Sequence, residues 1–303
     1  MTPNDYLAKI LVNQTLDEKG TEVTAMEKHR DEITQLLQNA YQSSEPLIKY
    51  AGSRAKGTMI KENYDLDVVC YFDNDDTAAG DTLEDIFNNV KNVLKEKYQV
   101  ELKTSAIRIK NKEKDHLGED FHIDVVPGRF TDDTKHDAFL YVKSKDKGRQ
   151  KTNLKKHIKH IRDSGVVNTI KLAKLWNVRE GLGFKTFVME LLVIKALKNK
   201  NDSEGLDACL VAFWEYLRDQ KDSLCVEDPA NPYGNDLSDY INGIRQPLCD
   251  AAEETLDFVE NDKWESIFGS TETMTRTARV EVLNRSIQTQ TNPAKPWLNR
   301  PGS

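Results

Sequence analysis

The chain has 303 residues, 38% of them hydrophobic and 31% charged, with 15 glycines. That composition suits one large globular body or two fused lobes and excludes collagen, disorder and repeat arrays. No stretch approaches the ~18 apolar residues of a membrane span, and residues 1–16 are too polar for a signal peptide, so a cytoplasmic protein with no membrane association is expected. Cys70, Cys209, Cys225 and Cys249 lack CxxC or Cys/His metal spacing, so neither a zinc site nor a disulfide framework is expected.

The formal net charge of −7 argues against a dedicated duplex-DNA binder. The average hides a division: residues 201–262 carry 16 Asp/Glu against 3 Lys/Arg, so the rest of the chain sums to +6. Within that remainder, Lys143–His160 packs 8 Lys/Arg against the single Asp146 and could face a polyanion or simply be a solvated helix and loop.

In chain order, Glu22–Tyr41 sets Val23, Met26, Ile33, Leu36 and Leu37 at helical spacing, which predicts one long amphipathic helix. Pro46–Tyr50 reads as a short buried strand, Asp65–Phe72 as an alternating strand and Thr82–Tyr98 as a helix. Thr104–Lys110 and Asp120–Pro127 read as further strands. From Asn153 the pattern turns helical, over roughly 153–163, 166–178, 184–198, 204–217 and 236–260. The expected organisation is an α/β lobe over residues 1–150, with a long N-terminal helix, and a helical lobe over 151–303. The connector falls between Gly128 and Thr152, and the cleft between the lobes is the default ligand site.

The informative segment is GSRAKGTMIKENYDLD, from Gly52 to Asp67. A strand running into Gly-Ser and then into helix-starting residues leaves backbone N–H groups free for phosphate, with Gly52 and Gly57 allowing close approach and Ser53 adding a hydroxyl. It is not a Walker A loop, since Thr58 follows Gly57 where that motif has lysine. Asp65 and Asp67, two apart on a strand, share one face. Their crowding suits cations between them, and hard oxygen ligands suit Mg²⁺. Asp124, a lone carboxylate in the apolar run FHIDVVP, is the expected third ligand. His122 is placed on the opposite strand face and read as packed or solvent-facing.

GS-x3-GT, then DxD on the next strand, then an isolated acid in a later strand resemble the nucleotidyltransferase superfamily of the polymerase-β type. From Ile48 to Phe268 the chain resembles the cGAS/DncV-like nucleotidyltransferases (CD-NTases) of bacterial anti-phage (CBASS) systems, relatives of oligoadenylate synthase. IKLAKLWN (170–177), GFKTFVMELL (183–192) and DPANPYGND (228–236) carry the later part of the resemblance. It implies an α+β fold: a bilobed polymerase-β-like nucleotidyltransferase core, a mixed sheet with helices, plus a C-terminal helical lobe.

By the same resemblance, Asp65, Asp67 and Asp124 hold two Mg²⁺ ions, with Mn²⁺ able to substitute. Gly52 and Ser53 cradle phosphate, Lys174 and Thr186 reach the triphosphate, and Phe187 stacks on a base, although Phe187, Leu191 and Leu192 also fall at core spacing. Asp228, Asn231 and Asn235 are read as fixing the helical lobe against the cleft.

The implied reaction joins NTPs, ATP among them, into a cyclic di- or trinucleotide second messenger sensed by a downstream effector. A regulatory protein is an expected partner and duplex nucleic acid is not. The rival readings are a nucleotidyltransferase acting on an RNA 3′ end or a protein, and a scaffold with a lapsed active site.

Overall fold

A computed structural model describes residues 1–111, 117, 121–143, 148–232, 235 and 237–271. Lys145, Asp146 and Lys147 of the basic segment lie outside the described residues, as do Tyr233, Gly234 and Asp236.

The first lobe is a seven-stranded mixed sheet. Its central path runs β1 (Leu47–Tyr50), β2 (Leu66–Phe72), β5 (Ile123–Phe130), β4 (Ile107–Lys110), β3 (Gln99–Leu102), and β6 (Ala138–Tyr141) and β7 (Arg149–Thr152) extend from β5. β2 and β5 pair in parallel and every other pairing is antiparallel. Alternation decides the faces. Leu66, Val68, Cys70 and Phe72 of β2 and Ile123 and Val125 of β5 point into a core with α2 (Thr21–Ala40) and α4 (Leu83–Lys97). Val69 and Tyr71 turn the other way, packing with Phe130, Ala138 and Leu140. α4 starts at a Thr82/Asp85 capping box, which satisfies two amides that a helix start leaves open.

The second lobe packs α5 (Leu154–Arg162), α6 (Val167–Arg179), α7 (Thr186–Ala196), α8 (Leu206–Asp219), α9 (Ser238–Asn242), α10 (Arg245–Glu260) and α11 (Trp264–Phe268). Trp176, Phe213 and Trp214 are fully buried at its centre. The middle of α7, Val188–Val193, is buried on all sides and apolar but for Glu190, as a helix enclosed by its neighbours requires.

Two features differ from the sequence reading. Among the described residues, 128–143 and 148–152 form the end of β5 and the paired strands β6 and β7 rather than a connector: Phe139 and Leu140 pair with Lys151 and Gln150, so Arg149 and Lys151 lie along an edge strand whose outer face can be solvated. The N-terminal helical segment is two helices. α1 (Pro3–Gln14) buries Tyr6, Leu7, Ile10 and Leu11 in the core of the helical lobe, whereas α2 covers the sheet. The helical lobe therefore draws on both ends of the described chain.

Candidate active site

β2 and β5 run in register, with Asp67 opposite Asp124 across the ladder. Both side chains emerge on the face away from the α2–α4 core, the face of Val69, Tyr71 and Val126. Asp65, just before β2, has the same parity. Its carboxylate lies 3.1 Å from Nδ1 of His122, a residue two before Asp124. His122 therefore lies on the acids' face and not opposite it: positions 122 and 124 share a side by the same i, i+2 rule that pairs Asp65 with Asp67.

The loop after β1 meets these acids. Gly52 opens a single-turn helix, α3 (Gly52–Lys56), with φ +52°, and a Cβ built there would fall 1.6 Å from Oδ2 of Asp67. The loop ends at Gly57 in left-handed conformation, φ +78°. Ser53 is half-buried beside Gly52 on this turn.

Charge crowding is strongest at Asp67. Burial, then Asp124 and Asp65, push its carboxyl up to about 7, against the opposing pull of Lys56 and Lys174. Asp124 receives a two-pronged ion pair from Arg108 on β4, Nε and Nη2 each 2.9 Å from a different carboxylate oxygen. Arg108 is opposite Asp124 in the β4–β5 register. Sequence reading missed it, although the alternation of buried Ile107 and Ile109 already placed it on the acids' face.

The donor set, three carboxylates with hard oxygens on one face and crowded against one another at Asp67, fits a divalent cation. Among the described residues no three acidic, His or Cys side chains are already gathered into a cation cage, and Asp124 would have to exchange Arg108 for the ion.

Beside the acids a cavity of about 350 Å³ separates the lobes, with Gly52, Lys56, Val69 and Tyr71 on one side and His157 and Phe187 on the other. Two larger concavities, beside Gln38–Ile48 and beside Met1–Tyr6, hold none of the expected site residues. Phe187, at the start of α7, tilts against the His157 ring at 4.9 Å. Thr186 is exposed at the first position of α7 and does not line the cavity.

Lys174 is buried behind the loop, where its ammonium donates to the Thr58 carbonyl at 2.7 Å. Burial lowers its pKa to about 8 against the support of Glu190, and it lies within the electrostatic reach of Asp67 and Asp65.

Buried Asp228 accepts from the Ala230 amide, from Asn235 and from His157, whose Nε2 is 2.6 Å away; Asn231 donates to the Lys151 carbonyl. These contacts clamp Asp228 to α5 and Asn231 to β7.

A two-lobed α+β fold with paired acids on adjacent sheet strands beside a Gly-Ser loop defines a nucleotidyltransferase of the polymerase-β-like kind. Residues 1–164 match the family model described as Second Messenger Oligonucleotide or Dinucleotide Synthetase domain, and the chain belongs to that family. It is a CD-NTase, an enzyme of the oligonucleotide-synthesising nucleotidyltransferases.

Among its relatives is the cyclic AMP-AMP-AMP synthase of Escherichia coli strain MS 115-1, 22% identical over 268 residues, covering 73% of this chain and 81% of the relative. CdnC of E. coli MS115-1, solved with ATP, superposes with a TM-score of 0.69 at 19% identity, over 89% of this chain and 98% of the other. The Vibrio cholerae DncV cyclic AMP-GMP synthase superposes at 0.61 with 15% identity, over 91% and 88%. No helix among the described residues is long and apolar enough to cross a membrane.

Proposed function

We propose that this enzyme joins nucleoside triphosphates, ATP among them, into a cyclic di- or trinucleotide second messenger with release of pyrophosphate, in anti-phage defence. The in-register pairing of Asp67 with Asp124 beside the Gly52 loop carries the reading, because it sets two acids on one sheet face against a close-approach loop whose Gly52 lines the interlobe cavity. Relatives named as cyclic AMP-AMP-AMP and cyclic AMP-GMP synthases support the cyclic product.

Asp65, Asp67 and Asp124 would hold Mg²⁺, with Mn²⁺ able to replace it. When bound, the metal would lower the pKa of the attacking sugar hydroxyl and neutralise the departing pyrophosphate. The chain's own residues do the rest. Gly52 and Ser53 let the phosphates approach Asp67, Lys56 and Lys174 supply positive charge behind that loop, and Phe187 offers a ring for base stacking. Thr186 would reach the phosphates only from its exposed place at the start of α7. Positioning of two nucleotides between the lobes would supply most of the acceleration expected of such a site.

A relative was solved in complex with a HORMA protein, which supports a regulatory protein as partner here; a downstream effector would sense the product. The assay is incubation with an equal mixture of the four NTPs and Mg²⁺, followed by mass spectrometry and nuclease digestion. A phosphatase-resistant cyclic nucleotide is expected. Products formed only when RNA or a protein acceptor is added would refute the reading.

A further inference from the structure

α7 contains one acid, Glu190, in an otherwise apolar run, and its side chain is 1% exposed. A carboxylate there needs partners, and three converge on it. Lys56, at the end of α3, donates to Oε2 at 2.6 Å; the Thr58 hydroxyl donates to Oε1 at 2.5 Å; the Lys174 ammonium lies 3.9 Å from Oε1. Lys174 closes the set by donating to the Thr58 carbonyl at 2.7 Å. Lys56, Thr58 and Lys174 are all buried. Burial pushes the Glu190 carboxyl up, but the two lysines and the donated hydrogen bonds outweigh it and leave it below its ordinary value.

The geometry also gives this cluster a direction. Lys56 lines the interlobe cavity, and its ammonium is 4.9 Å from the centre of the Phe187 ring. Phe187 and Glu190 are three apart on α7 and so share a helix face. One face of one helix in the second lobe thus grips Lys56 from two sides. Lys56 belongs to the same single turn as Gly52, whose backbone abuts Asp67. A shift at one end of so short a turn moves the other.

We infer that Glu190 is a positioning residue, the carboxylate through which the helical lobe holds Lys56, Thr58 and Lys174 in place and so sets the loop that faces the nucleotide's phosphates. The inference rests on the nucleotidyl-transfer reading above. Glu190 touches no reacting atom; it acts through the lysines and the loop.

The test measures binding of non-hydrolysable ATP and GTP analogues, with Mg²⁺, by calorimetry to the full-length wild type, Glu190→Gln, Lys56→Met and the double variant. A thermal melt establishes that each is folded at the assay temperature. Glu190→Gln is expected to weaken binding of the preferred analogue about tenfold, Lys56→Met by a similar factor, and the double variant little more than either, because the two act through one link.

Wild-type binding with Glu190→Gln within about twofold of it would overturn the inference, as would losses that multiply in the double variant. If Glu190→Gln does not fold, Lys56→Met reads the same link from the loop side, and its retention of full affinity would overturn the inference equally. A wild type that binds neither analogue refutes the nucleotidyl-transfer reading instead.

Discussion

Gly52 and Asp67 are in contact closer than any side chain at position 52 allows: a Cβ there would fall 1.6 Å from the carboxylate, and the backbone sits at φ +52°. Both conditions demand glycine. Gly52→Ala is expected to cut product formation roughly a hundredfold, the cost of displacing a reacting group by about an ångström. The fold should survive, since the strain falls on one short turn outside both hydrophobic cores' helices and strands. Product yield and a thermal melt of the variant check both parts.

Arg108 grips both oxygens of Asp124, so a divalent cation must displace a charge-assisted, two-pronged contact. Arg108→Met removes the competitor and a nearby positive charge together. Direct Mn²⁺ binding, read by electron paramagnetic resonance, is expected to tighten by about tenfold, in line with the strength of hydrogen bonds to charged groups. Unchanged or weaker Mn²⁺ binding would show that Arg108 does not compete.

Phe187 presents a half-buried ring to the cavity. If bases stack on it, Phe187→Ala should raise KM about tenfold, ~1.4 kcal/mol, with a smaller change in kcat. A loss confined to thermal stability, with steady-state constants unchanged, would assign the ring to packing alone.

The clamp formed by Asp228 and His157 gives a pH-dependent prediction. Burial raises the Asp228 carboxyl, but His157, Asn235 and the Ala230 amide outweigh it and hold the group below the ordinary carboxylate range. The folded state then releases this proton more readily than the unfolded one. The resulting stabilisation is complete above the unfolded pKa and disappears as pH falls through the lower folded value. Melting temperatures measured from pH 7 to pH 3 should fall steeply at the acid end for the wild type. Asp228→Asn should start lower, by about 2–3 kcal/mol, and fall less steeply.

Much of this fold was legible because its signals are local. The helical spacing of Val23, Met26, Ile33 and Leu37 and the alternation across residues 65–72 reappear as α2 and β2. Asp65 and Asp67 could be grouped because strand parity constrains them before any pairing is known, and Asp124 stood out as a lone carboxylate in an apolar run. Parity was misapplied only at His122, which shares the side of Asp124 and contacts Asp65.

What escaped depends on long-range register. β6, a short apolar strand, and β7, a short charged strand at the sheet's edge, exist through pairing with β5 and with each other. Arg108 becomes a partner of Asp124 only once β4 and β5 align. α1 did carry a readable signal, Tyr6, Leu7, Ile10, Leu11 and Gln14 at helical spacing, but its burial belongs to the opposite lobe. The isolated Glu190 in the apolar run of α7 was a further overlooked clue that the sequence alone offered.

The most direct measurement is the yield of cyclic nucleotide and pyrophosphate from labelled NTPs and Mg²⁺ by the wild type and by Asp65→Asn/Asp67→Asn. The wild type should form both products. The double variant should be folded and form neither, because the acids opposite and beside Asp124 no longer bear charge. Synthesis retained by the double variant would contradict the assignment of these carboxylates, and with it the proposed chemistry.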